Sequence, residues 1–167
     1  MIVKKIGESI VSPLGFSVEE NYSAVMAGKS ALRRYESLWG MPFPCFVSLI
    51  PNERLDADLN QEENASRLPS LRTKFEKIAF LSAFKAVKQS GIDAKSSRVV
   101  FILSSTKGNV ELLAGENPDL SYVTPAYGAR MIADYFGNPN IPLTISNACS
   151  RATISGTFSA IRSPSPR

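Results

Sequence analysis

Residues 142–150 read Pro-Leu-Thr-Ile-Ser-Asn-Ala-Cys-Ser, which combines a strand pattern with a cysteine at its end. Its first five residues predict a short strand, and residues 150–161 predict a helix. Cys149 would then lie where a strand gives way to a helix, which is the edge at which α/β sheets carry their ligands. The positive end of the helix dipole stabilises a thiolate there. The local pattern leaves open a nucleophile or a buried, inert cysteine.

The first helix is predicted just after a strand over residues 2–11. Ser17 is its expected N-cap, Glu20 completes a capping box, and Gly28 ends the helix. Its apolar face is expected to consist of Tyr22, Val25 and Met26.

Two further helices are predicted over residues 71–89 and from Thr124-Pro125 to Gly137. The apolar stripe of the helix over residues 71–89 is wide, so we expect this helix to be largely buried. The stripe consists of Leu71, Phe75, Ile78, Ala79, Leu81, Phe84 and Val87. Residues 52–70 are expected to form a solvated loop. Its carboxylates are interpreted as solvent-facing rather than as a catalytic pair, and they are Glu53, Asp56, Asp58, Glu62 and Glu63.

The remaining strands are predicted over residues 45–50, which Pro51 ends, and over residues 98–103. Strands that alternate with helices favour an α/β fold with a mostly parallel mixed sheet covered by helices. Cys45 lies within an apolar strand, so we expect it to be a packing residue.

The composition limits the possible functions. The 167 residues are 44% hydrophobic, which suits one domain, and 19 Lys and Arg against 15 Asp and Glu do not indicate nucleic acid. With no histidine, the chain cannot supply a Cys-His pair or an imidazole ligand. Two distant cysteines form no metal motif, and no signal peptide or membrane span is predicted. We expect a cytoplasmic protein.

Four stretches together resemble the β-ketoacyl-acyl carrier protein synthases, which are condensing enzymes of the thiolase-like superfamily. The sequence Ile-Ser-Asn-Ala-Cys at residues 145–149 is similar to their active-site strand and nucleophile. The other three are residues 11–15 with Glu19-Glu20-Asn21 and Gly28-Lys29-Ser30, the helix of residues 71–93 with its Gly-Ile-Asp ending, and the loop of residues 104–108. The resemblance implies the amino-terminal half of a thiolase-like fold over residues 1–162, followed by a tail over residues 163–167.

By this resemblance, Cys149 is the catalytic residue. It would accept an acyl group from an acyl carrier protein thioester and pass it to a malonyl-derived carbanion, in fatty-acid or polyketide synthesis. Its backbone N–H would be one donor of the oxyanion hole, while Thr106 and its neighbours would shape the pocket wall. The resemblance implies a homodimer through the strand of residues 141–146. The ten glycines form no phosphate-binding loop and no dinucleotide fingerprint, and no metal-ligand spacing is present, so we expect no cofactor and no metal.

The sequence departs from the family in two places. Condensing enzymes are much longer, and their second half supplies catalytic histidines, so we expect no complete condensation by this chain alone. Arg151 would bring a charge into a helix that is buried in the family. Removing residues 151–154 would restore a family-like Cys-Ser-Ser-Gly run, which suggests an insertion or an altered sequence, and residues 162–167 suggest a frame slip or early stop.

Two alternatives to the synthase remain. The half-fold could be a non-catalytic structural or dimerisation partner, which would have ordinary thiol reactivity and form a stable oligomer. It could also be a thiol hydrolase or transferase with a carboxylate base, which would turn over thioesters alone.

Overall fold

The structure is a computed structural model that describes residues 4–61 and 69–146, and the backbone of residues 159–162. Its helices are α1 (Val18–Met26), α2 (Asn52–Gln61), α3 (Lys74–Ser90), α4 (Leu120–Val123) and α5 (Pro125–Tyr135). Its strands are β1 (Arg33–Tyr35), β2 (Cys45–Val47), β3 (Val99–Ser104), β4 (Leu143–Ile145) and β5 (Ser159–Arg162). Among the described residues, no helix is both long enough and apolar enough to cross a membrane.

The main sheet has the strand order β4-β3-β5, so β3 lies in its centre. Strand β4 runs parallel to β3, with Ser104 opposite Ile145, whereas β5 runs antiparallel to β3. Strands β1 and β2 form a separate antiparallel ribbon. The α/β class is therefore confirmed, and the β3–β4 pair supplies the expected parallel strands.

The helix predicted over residues 150–161 is wrong at its end, because residues 159–161 belong to β5. Strand β5 pairs with the edge of β3 opposite β4 and satisfies backbone groups that would otherwise stay unpaired there. The rest of that predicted helix lies outside the described residues.

The strand predicted over residues 2–11 is also wrong where it can be compared, because residues 4–11 form no strand. Side chains of α3 take up the backbone groups of this segment instead. The N–H of Glu8 donates to Gln89 Oε1 at 2.6 Å, and Ser82 Oγ donates to the Ser9 carbonyl at 3.4 Å. A side chain at Gly7 would collide with the Ala86 carbonyl, so glycine allows this close approach.

The solvated loop expected over residues 52–70 is wrong for residues 52–61, which form α2, while Glu62 and Glu63 lie outside the described residues. Leu55 and Leu59 are one helical turn apart, and both are buried against the core. Asp56 and Asp58 form ion pairs with Lys77 and Lys85 of α3, each at 2.6 Å. Two carboxylates that were interpreted as solvent-facing therefore attach α2 to α3.

Helix α1 begins and ends as predicted, but its apolar face is wrong. Ser17 Oγ accepts from the Glu20 N–H at 3.1 Å, and Gly28 has a φ of 64° after the last turn. The second half of the expected capping box differs, because the Glu20 carboxylate accepts from the Phe16 N–H at 2.6 Å. The face expected to be buried is 62–68% exposed and consists of Tyr22, Val25 and Met26. Asn21 is buried instead, because its side-chain amide donates to the carbonyls of Gly15 and Ser17.

The core lies between β3 and the helices α3 and α5, which were both predicted. Thr73 and Thr124 are their N-caps, as the hydrogen bonds to Glu76 and Tyr127 show. Strand β2 is shorter than predicted because its partner β1 has only three residues. The core contains stacked and edge-to-face rings from Phe80, Phe84, Phe101, Tyr135 and Phe136.

Candidate functional site

The predicted nucleophile follows β4 by four residues, at the carboxyl end of the parallel strand pair. Cys149 lies outside the described residues, as do Arg151 and the Ser155-Gly156 pair. The structure describes β4 and the residues around its carboxyl end. Cys45, the other cysteine, is half-buried in the β1–β2 ribbon.

The loop of residues 105–109 follows β3 and is hydrogen-bonded to the end of β4. The Ser105 N–H donates to the Ile145 carbonyl at 3.1 Å, which joins the loop to the last residue of β4. Ser105 Oγ accepts from the N–H of Gly108 at 3.2 Å and of Lys107 at 3.4 Å, and so closes the loop on itself.

Gly108 is required by both the conformation and the packing of this loop. Its φ is 61°, and a Cβ atom there would lie 2.8 Å from the nitrogen of Pro125 and 2.9 Å from the Val123 carbonyl oxygen. The loop therefore passes directly against the start of α5, where only glycine fits.

A buried polar network holds the far end of the loop. Glu76 and Asn109 are fully buried and Thr73 is 2% exposed. Asn109 Nδ2 donates to Glu76 Oε1 at 2.6 Å, and Thr73 Oγ1 donates to Asn109 Oδ1 at 2.6 Å. The other Glu76 oxygen accepts from the Arg72 N–H at 2.6 Å. The network thus connects the start of α3 to the loop after β3.

A cavity of about 630 Å³ lies between residues 9–11, α3 and this loop. Its apolar wall consists of Ile10, Val11, Phe75, Ile78, Ala79, Ala83 and Leu103. Its polar wall consists of Ser9, Ser82, Ser104, Ser105, Thr106 and Lys107. Thr106 lines the cavity, in agreement with its interpretation as part of a pocket wall. Because the cavity lies at the carboxyl end of β3, it occupies the usual ligand position of an α/β sheet.

Most of the residues that form this cavity and its polar network were not predicted from the sequence. Phe75, Ile78 and Ala79 were expected in the buried stripe of α3. In the structure they are half-buried and line the cavity. Ser9 and the Glu76–Asn109 pair carry no sequence signal, because their roles depend on contacts between distant parts of the chain. In the ranges the structure describes, no three potential metal ligands come together.

Two solved structures have a fold similar to that of this chain. A β-ketoacyl synthase from Burkholderia phymatum STM815 matches with a TM-score of 0.59 and 15% identity, over 91% of this chain and 43% of its own. The ishigamide ketosynthase/chain length factor matches with a TM-score of 0.54 and 18% identity, over 84% of this chain and 38% of its own. No protein-family model and no curated protein matches the sequence.

The chain thus has a ketosynthase-like fold. It spans less than half the length of either matching structure.

Proposed function

We propose that this chain is the acyl-carrying part of a β-ketoacyl synthase, with Cys149 as the nucleophile. The observation that carries the proposal is the likeness of fold to a β-ketoacyl synthase over 91% of the chain. Cys149 follows the parallel strand β4 in sequence, and the carboxyl end of a parallel strand is the edge at which α/β sheets carry their reactive groups.

The proposed step is a transthioesterification. The Cys149 thiolate attacks the carbonyl carbon of an acyl thioester, the new C–S bond forms, and the old C–S bond breaks. The carrier sulfur leaves with the bonding electron pair and takes up a proton. An acyl carrier protein would deliver the acyl group, and the Cys149 N–H would stabilise the developing oxyanion.

We do not expect this chain alone to complete the condensation that follows. The sequence contains no histidine, so it has no imidazole to assist decarboxylation of a malonyl thioester. The chain would act in fatty-acid or polyketide synthesis, in the cytoplasm and as a homodimer.

Alkylation kinetics test whether Cys149 is an activated thiol. The protein is treated with iodoacetamide near neutral pH, and the Cys149 and Cys45 peptides are quantified by mass spectrometry. We expect Cys149 to react at least about tenfold faster, because thiolates are the reactive form. The Cys149→Ser variant is the control for the peptide assignment. Equal rates at the two cysteines would contradict an activated nucleophile.

A non-catalytic dimerisation partner is the second candidate, and the exposed edge of β4 favours it. Leu143 lies in β4 and is 54% exposed, and Ile141 just before it is 81% exposed. Among the described strands, β4 pairs with β3 alone, so its other edge is open. Such an edge is suited to pairing with a second copy. Light scattering of the Leu143→Lys variant tests this, with Leu113→Lys as a control at another exposed leucine. A dimer that persists in Leu143→Lys would exclude this edge.

A thiol hydrolase is not favoured. No Asp or Glu is among the described residues that line the cavity, so no carboxylate base faces it there.

A further inference from the structure

The β1–β2 ribbon exposes its apolar side chains instead of burying them. None of residues 31–50 is buried, and residues 37–52 contain no charged side chain. Trp39 is 73% exposed, Phe43 is 58% exposed and Phe46 is 66% exposed. Single apolar side chains on a surface are ordinary, but three exposed aromatic rings within one short ribbon indicate an interaction surface.

Trp39 has an unusual backbone conformation in the loop between the two strands. Its φ is 55°, and it is the only non-glycine among the described residues with a positive φ. This left-handed region is unfavourable for a bulky side chain. Because the ring is mostly exposed, core packing does not account for the conformation. Backbone strain of this kind is concentrated at binding and switch regions.

Cations lie at the end of β1 that is away from the loop. Lys29 and Arg33 line a second cavity of about 630 Å³ beside β1. Within the described part of the chain, neither forms an ion pair. Arg34 pairs with Glu36, which is the only acidic residue of segment 21–52. This part of the ribbon therefore has a net positive charge.

An anionic bilayer is complementary to both parts of the ribbon. Aromatic rings favour the boundary between lipid headgroups and acyl chains, and Lys and Arg are attracted to anionic lipids. Arg34 and Phe46 lie directly opposite each other across the ribbon, so the charged and apolar parts adjoin. The order along the ribbon, apolar at the loop and cationic at the other end, matches the order of hydrocarbon and phosphate at a bilayer surface.

We propose that the β1–β2 ribbon attaches this protein to the surface of an anionic membrane. Trp39 and Phe43 enter the boundary between headgroups and acyl chains, and Lys29 and Arg33 contact lipid phosphates. The attachment is peripheral and combines apolar insertion with charge attraction, because either one alone binds weakly. It goes beyond acyl transfer and needs no thiol, so the Cys149→Ser protein should bind equally well.

Sedimentation of the full chain with lipid vesicles tests the attachment. One set of vesicles is phosphatidylcholine alone, and the other contains about one quarter phosphatidylglycerol. We expect at least about tenfold tighter binding to the anionic vesicles, and weaker binding at high salt. No sedimentation with the anionic vesicles, or equal binding to both sets, would overturn the proposal.

The fluorescence of Trp39 tests insertion of the loop, because it is the only tryptophan in the chain. We expect its emission to move to shorter wavelength with anionic vesicles, since the ring leaves water. An unshifted emission from vesicle-bound protein would overturn the insertion. The same shift without vesicles, on raising the protein concentration, would assign the surface to a second copy of the chain and overturn the membrane.

The Phe43→Ser variant tests the apolar part of the ribbon. It should bind the anionic vesicles about threefold to tenfold more weakly, because one ring no longer leaves water. Leu120→Ser is the matched control at a residue of α4 that is 64% exposed, and it should bind like the parent. Equal binding by the two variants would overturn the role of the loop.

A double variant tests the cationic part. Lys29→Gln with Arg33→Gln should weaken binding to anionic vesicles about tenfold or more. Lys4→Gln with Lys95→Gln removes the same charge at exposed lysines elsewhere and should have a much smaller effect. Equal losses in the two double variants would show a general charge effect and overturn the assignment to the ribbon. Thermal unfolding confirms that each variant is folded.

Discussion

Glu76 shows how one buried residue organises the candidate site. Both of its carboxylate oxygens accept hydrogen bonds, one from the Asn109 amide and one from the Arg72 N–H. Asn109 in turn donates to the Tyr122 carbonyl at 2.8 Å, so the same network reaches α4. A fully buried carboxylate is tolerated because its acceptor positions are occupied by donors. No local sequence signal marks Glu76 as buried.

The Glu76→Gln variant should be destabilised by about 1–3 kcal/mol, as expected when a buried polar group loses its partner. Glutamine replaces one acceptor oxygen with an NH₂ group, which would face the Asn109 amide or the Arg72 N–H as a second donor. Urea unfolding measures the change. Thr73→Ser keeps the hydroxyl that donates to Asn109 and is the matched control, with a smaller expected loss. Equal stability of Glu76→Gln and the parent would contradict this account of the network.

At the scale of single elements, local signals identified some helices and missed another. Helices α3 and α5 carry threonine N-caps and are followed by glycines with positive φ, and those signals are local. Helix α2 has a polar composition that hid its two buried leucines. Its stability depends on α3, which supplies the apolar surface and the two lysines, and no local pattern reports such a partner.

Glu20 connects α1 to α2 and makes that connection dependent on pH. The Phe16 N–H and then the Arg54 guanidinium hold the pKa of this carboxyl below its usual value. A lowered pKa in the folded state means that Glu20 stabilises the fold above its unfolded pKa. That contribution is lost as the pH falls through the folded-state pKa, which lies below 4.5.

The Glu20→Gln variant should therefore be less stable than the parent at pH 7, and the difference should disappear in more acidic solution. We expect less than about 1 kcal/mol at pH 7, because the ion pair with Arg54 is about half exposed to solvent. Thermal unfolding of both proteins from pH 7 to pH 3 measures the difference. Glu19→Gln, in the same helical turn, is the control. A stability difference between Glu20→Gln and the parent that grows as the pH falls would contradict the lowered pKa of Glu20.

For the whole molecule, the order of elements predicted the α/β class, and the strands that became β3 and β4, better than it predicted the edges of the sheet. The sequence of β3 is a run of apolar residues, and such a run predicts a buried strand without any knowledge of its neighbours. Residues 4–11 form no strand and residues 159–162 form one, both against expectation, because each outcome depends on which neighbour satisfies the backbone. The site was predicted in part: Thr106 lines the cavity as expected, whereas the cavity wall from Ser9 and α3 depends on contacts between distant parts of the chain.

Acyl transfer to the protein tests whether Cys149 is the nucleophile that carries the acyl group. The chain is incubated with an acyl-acyl carrier protein thioester, and the modified peptide is identified by mass spectrometry, with Cys149→Ser as the control. The account predicts an acyl group on the peptide that contains Cys149, and none in Cys149→Ser. An unmodified Cys149 peptide under conditions in which the thioester stays intact and available would contradict it.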